Sequence, residues 1–138
     1  MSFEKSCGAL CFTKINNEIY WVIICSLEGI YGFPKGHVEN NETEIETALR
    51  EVWEETALKP RIIDGFRAEQ EYPLPRKKGV IKKVIYFLAE YEGQELRYLK
   101  DELKSAELLT YDEAYEKLQF QNAKDVLKEA NDFLNNIL

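Results

Sequence analysis

Three glutamates, Glu51, Glu54 and Glu55, are the residues of this chain whose type and spacing best suit chemistry. At about 100° per residue they fall within about 100° of arc on one helical face, and Ala48 and Val52 lie immediately beside that arc. The carboxylates therefore border an apolar stripe instead of facing open water. Like charges at these spacings repel on an exposed helix, and more strongly where solvent is partly excluded. Something positive must offset them, either the adjacent Arg50 or a hard divalent cation held by oxygen ligands. A glutamate-rich helix alone is most often a solvated face. The lead-in favours metal: a segment carrying Gly29, Gly32, Pro34 and Gly36 runs into this helix, an arrangement that suits phosphate-bearing substrates and Mg²⁺.

The elements that must position this edge can be traced along the chain. Cys7 to Phe12 and Ile19 to Ser26 read as strands joined by a turn at Asn16-Asn17. Leu27 to Asn40 holds too many breakers for a regular element. The helix is expected to open at Asn41 with Glu44 as its capping-box partner, and to end by Pro60. Arg61 to Tyr72 and Val80 to Tyr91 read as strands around a loop from Pro73 to Gly79, with a last strand near Leu108-Leu109. Thr110 and Glu113 form a second capping box before a short helix over Tyr111 to Leu118. Phe120, Ala123, Leu127, Ala130, Leu134 and Ile137 repeat at threes and fours, an amphipathic helix whose mixed polar face suits packing on a sheet. The pattern predicts one domain over residues 1–138: an α/β sandwich with a mixed sheet and helices on its faces.

Composition bounds the partners. With 25 acidic and 18 basic residues the net charge is −7, which argues against stable binding to a nucleic-acid backbone. No apolar run is long enough to cross a bilayer, and the start lacks a basic and apolar secretion signal, so a cytoplasmic location is expected. Cys7, Cys11 and Cys25 read as small core residues, because a zinc site needs more ligands and His37 is the single histidine. Arg76, Lys77, Lys78, Lys82 and Lys83 crowd eight positions, either to attract distant phosphates or to solubilise a hairpin tip. Oligomeric state has no signature in the sequence.

The stretch Gly36 to Leu58 resembles the Nudix box, G-x5-E-x7-R-E-U-x-E-E-x-G-U with U aliphatic. Gly36, Glu42, Arg50, Glu51, Val52, Glu54, Glu55 and Leu58 fall in register, while Ala57 stands where the family has glycine. The resemblance continues over Gly32-Phe33-Pro34-Lys35-Gly36-His37-Val38-Glu39, Val84-Ile85-Tyr86-Phe87-Leu88-Ala89-Glu90 and Leu118-Gln119-Phe120, which look like the asymmetrical diadenosine tetraphosphate hydrolases of that family.

The resemblance implies a Nudix-type α/β/α sandwich and metal-assisted hydrolysis of a small dinucleoside polyphosphate to ATP and AMP. Mg²⁺, or Mn²⁺ in its place, is implied on Glu51, Glu54 and Glu55. Glu54 or Glu102 would serve as base, Arg50 would orient a glutamate and Lys35 would stabilise the departing phosphate. His37, Tyr86 and Phe120 are implied substrate contacts. Each also has a plainer reading: a solvated loop lysine for Lys35, a structural hydrogen bonder for His37, core packing for Phe120 and for Tyr86 in phase with Val84 and Leu88, and a solvated loop acid for Glu102. Nucleoside triphosphates, nucleotide sugars and RNA 5′ ends are rival substrates, and a nucleotide-binding regulator without turnover is the rival of another class.

Overall fold

Eight consecutive buried residues, Ser6 to Thr13, make β1 (Ser2–Ile15) the strand around which the sheet assembles in the computed structural model, which describes residues 2–137. A strand covered on both faces reads as a continuous apolar run. It pairs in parallel with β6 (Val80–Glu90) from Ser2↔Val80 to Phe12↔Glu90. It turns antiparallel into β2 (Glu18–Ser26) through Asn16 and Asn17, both at positive φ (53° and 68°), a conformation asparagine tolerates. β5 (Arg61–Pro73) lies antiparallel outside β6, and β7 (Leu103–Leu109) antiparallel outside β2. The sheet is mixed, as expected.

Its two faces bury different side chains. Leu10, Phe12, Trp21 and Ile23 pack under α2 (Tyr111–Lys117) and α3 (Gln121–Ile137), against Ala114, Leu118, Val126, Leu127, Ala130 and Leu134. Each large side chain fully removed from water there contributes about 1.5–3 kcal/mol. The opposite face carries the small residues Cys7, Ala9 and Cys11 beneath Ala48 and Val52 of α1 (Glu44–Thr56). All three cysteines are buried and free, as core residues should be. The layers make an α/β/α sandwich. Among the described residues no helix is long and apolar enough to cross a membrane.

Several expected boundaries move, β1 among them, which starts at Ser2 and not at Cys7. The cap of α1 is Thr43, whose side chain accepts from the Glu46 amide while Glu46 Oε1 accepts from the Thr43 amide, so the capping box lies two residues beyond Asn41. The segment expected to be irregular contains two short strands, β3 (Tyr31–Gly32) on β2 and β4 (Lys35–His37) on β1. The last strand starts at Leu103, because Lys104, Ser105 and Glu107 sit on a sheet edge where polar side chains are tolerated.

Ala57 closes α1 in the left-handed region (φ 60°, ψ 22°), its amide donating to the Trp53 carbonyl at 2.9 Å. An L residue there costs about 1–2 kcal/mol, partly offset by the lower unfolded-state entropy of alanine. Ala57→Gly is therefore expected to raise the thermal midpoint by a few degrees without changing turnover. A lower midpoint in a thermal melt refutes this account of the helix end.

Candidate active site

β4 and α1 converge through one glycine. A Cβ on Gly36 would overlap the Glu51 carboxylate, so only glycine lets that side chain lie against the strand. Arg50 gathers the acids around it. Its Nε donates to Glu42 Oε2 at 2.7 Å, and its Nη1 to Glu51 Oε2 at 2.9 Å and Glu54 Oε1 at 3.1 Å. Nη2 donates to the His37 carbonyl at 3.0 Å, which ties the helix to the end of β4. The guanidinium beside Glu42, helped by the Glu39 amide, holds the Glu42 carboxyl at about 2. Arg50 thus bonds three of the glutamates at once.

Glu55 differs from the other acids. Burial first, and the facing Glu51 carboxyl second, push its pKa well above the ordinary carboxylate range. The Lys35 backbone and ammonium oppose the rise. Even so, Glu55 Oε2 is buried without a hydrogen-bond partner. A buried carboxylate oxygen left unpaired costs free energy, and two facing carboxyls repel once ionised. Glu54 is half exposed and turned towards Arg50, so the three glutamates do not gather into a closed cluster among the described residues. The donors are oxygen only, and one is orphaned. That set fits a hard divalent cation.

A positive wall lies beside this edge. Lys82 is buried on β6; its ammonium donates to Ser6 Oγ at 2.6 Å and lies 3.3 Å from His37 Nε2. Burial lowers its pKa, and the nearby Lys35 lowers it further. Lys35 is lowered by burial too, against the pull of Glu55 and Glu51. An anion placed between the two ammonium groups would relieve both. The basic cluster thus divides: Arg76, Lys77 and Lys78 are exposed in the turn, Lys77 pairing with Glu4 at 2.7 Å, whereas Lys82 faces the site. Its signal in the sequence is phase, since residues 82, 84, 86 and 88 share one face of a strand.

Tyr86 lies in the core. It is 6% exposed, with its ring edge-on to Phe33 at 5.8 Å, so no base can stack on it without opening the core. Tyr72, at the end of β5 and partly exposed beside the same cluster, has the accessible ring that sequence reasoning passed over. Phe120 is 58% exposed at the start of α3. Beside it, the Gln119 side chain accepts from the Tyr31 amide at 2.9 Å and donates to the Gly29 carbonyl at 2.8 Å, which latches the β2–β3 loop to the helices. Glu102 is exposed on the turn before β7, its amide donating to the Leu99 carbonyl, and its side chain has no described partner among the described residues.

Known proteins resemble this chain in sequence and in fold. A family model described as NUDIX domain matches residues 15–130. The asymmetrical bis(5′-nucleosyl)-tetraphosphatase of Rattus norvegicus is 35% identical over 142 aligned residues, spanning 94% of this chain and 95% of that protein. The Ap4A hydrolase of C. elegans, solved as a binary complex, superposes with a TM-score of 0.87 at 22% identity, over 96% of this chain and 98% of that one.

Proposed function

The chain belongs to the Nudix family, and on that premise we propose that it is an asymmetrical dinucleoside tetraphosphate hydrolase, cutting diadenosine tetraphosphate to ATP and AMP. The observation that carries the reading is the similarity to tetraphosphatases along nearly the full length of both chains, with every box carboxylate kept. Hydrolases of this family use divalent metals. Mg²⁺, with Mn²⁺ as substitute, is assigned to Glu51, Glu54 and Glu55. Bound there, the ion supplies neutralisation of phosphate charge and a lowered pKa for its water.

The chain's own groups do the rest. Lys35, His37 and Lys82 receive phosphate oxygens, and Lys35 stabilises the charge that grows on the departing phosphate. Arg50 keeps Glu51 and Glu54 in place by charge-assisted bonds. Glu54, half exposed and held by a single bond to Arg50, is the better placed base of the two candidates; Glu102 stands on a turn of its own. Phe120 and Tyr72 offer rings to a base, a stack worth about 1–3 kcal/mol. Three buried, unbridged cysteines suit the reducing cytoplasm as the place of work.

A substrate panel with Mg²⁺, its products separated by chromatography, tests the reading. Diadenosine tetraphosphate should be turned over with kcat/KM at least about tenfold above ATP, as one base–aromatic stack allows, releasing ATP and AMP. Two ADP molecules, or equal use of ATP, would defeat the substrate assignment while leaving the family.

A further inference from the structure

We propose that Gly8, which lies outside the helix motif and 27 positions before Lys35, is a positioning residue for that lysine: its missing side chain fixes how closely the β3–β4 segment lies on β1. Gly8 stands opposite Lys35 in the β1–β4 pairing, and the next residue's amide, Ala9 N, donates to the Pro34 carbonyl at 3.2 Å. A Cβ on Gly8 would overlap the Pro34 carbonyl oxygen and stand 2.6 Å from Lys35 Cβ and 2.9 Å from Lys35 Cα. These atoms are backbone or next to it, so no side-chain tip can swing aside. Gly8 does not occupy the left-handed region, unlike Gly29, Gly65, Gly79 and Gly93. Room, not backbone freedom, is therefore what glycine supplies here.

The strand itself cannot retreat. On its other side β1 is held to β6 by the pairs Cys7↔Ile85, Gly8↔Tyr86 and Ala9↔Phe87, all buried. A methyl group at Gly8 consequently displaces Pro34 and Lys35. With them move the Lys35 backbone and the ammonium whose charge acts on Glu55 and Glu51. Gly36, the next residue, makes room for the Glu51 carboxylate, so the two glycines together set lysine and glutamates in register from opposite strands. A displacement of about 1 Å at a group that stabilises developing charge costs on the order of 10²-fold in rate.

The inference rests on the hydrolase reading, and a double-mutant comparison separates the two. Gly8→Ala should lower kcat about 30- to 100-fold with KM within about threefold, and Lys35→Ala should lower kcat about 10²-fold. Because Gly8 acts through Lys35, the Gly8→Ala/Lys35→Ala protein should fall no more than about threefold below Lys35→Ala. General damage to the fold would instead multiply the two losses, and that result overturns the proposal. If Gly8→Ala does not fold, the same comparison is made in a Pro34→Gly background, where the segment is free to lift from β1. A second readout needs no turnover: the backbone amide NMR resonance of Lys35 should shift in Gly8→Ala while that of the exposed Lys104 stays put. An unmoved Lys35 resonance overturns the proposal even if the parent protein hydrolyses nothing, whereas an inactive parent with a shifted Lys35 refutes only the hydrolase reading.

Discussion

Glu51→Gln and Glu55→Gln should each cut turnover by about 10³-fold or more while the protein stays folded. Glutamine keeps the volume of glutamate and removes its charge, so affinity for a hard cation falls without a cavity being opened. Stability separates the two positions. Glu51 accepts from Arg50 at 2.9 Å, so its replacement loses a charge-assisted bond and should lower the thermal midpoint. Glu55 has an oxygen buried without a partner and a carboxyl held above the usual range by burial and by Glu51. A raised carboxyl pKa means the folded state loses stability, relative to the unfolded chain, as pH climbs past the ordinary carboxylate value. Without divalent ions, Glu55→Gln should therefore match or exceed the parent in thermal midpoint, with a margin that widens as pH rises. Undiminished turnover in either variant would remove the glutamate edge from the reaction.

Arg50→Ala should be damaging in both senses, with kcat down by about 10²-fold and stability down by about 1–2 kcal/mol. The guanidinium holds Glu42, Glu51, Glu54 and the His37 carbonyl at once, and its removal leaves three carboxylates facing one another. Its side chain is about one-fifth exposed, so the stability loss is smaller than for a fully buried ion network. Arg50→Lys should recover much of the stability and little of the turnover. An ammonium neutralises charge but cannot fork across four acceptors. Full activity in Arg50→Lys, measured beside a thermal melt, would show that Arg50 serves only as a counter-charge.

Local rules make much of this fold legible in the sequence. Two asparagines at positive φ marked the first hairpin, and Thr110 with Glu113 marked the start of α2. Legibility failed where distant partners decide. Ser2 to Ser6 looks too polar for a strand, yet it pairs along its length with β6. The cap expected at Asn41 lies instead at Thr43, two residues on, where the partner Glu46 reaches back to the cap amide. Of the site, the glutamate edge and Arg50 were legible because spacing on one helix is a local property. Lys82 was read as one of five basic residues, since only the fold shows that its face of β6 meets His37. Tyr86 was read both ways, and the burial that excludes stacking comes from Phe33, more than fifty residues away.

The parallel pairing of β1 with β6 has a consequence for how the chain comes to be folded. Ser2 lies opposite Val80 and Phe12 opposite Glu90, a constant offset of 78 residues. At synthesis rates of about 5–20 residues per second, β1 leaves the ribosome some 4–16 s before its neighbour exists. The β1–β2 hairpin can form early, but it covers only the stretch from Phe12 to Ile15. Cys7 to Cys11, buried on both faces in the finished protein, must wait with their backbone groups unpaired on that side. Closing so long a loop is a slow entropic step, so folding is governed by late, non-local assembly. The nascent amino-terminal third is the segment that a chaperone or a neighbouring nascent chain would find exposed.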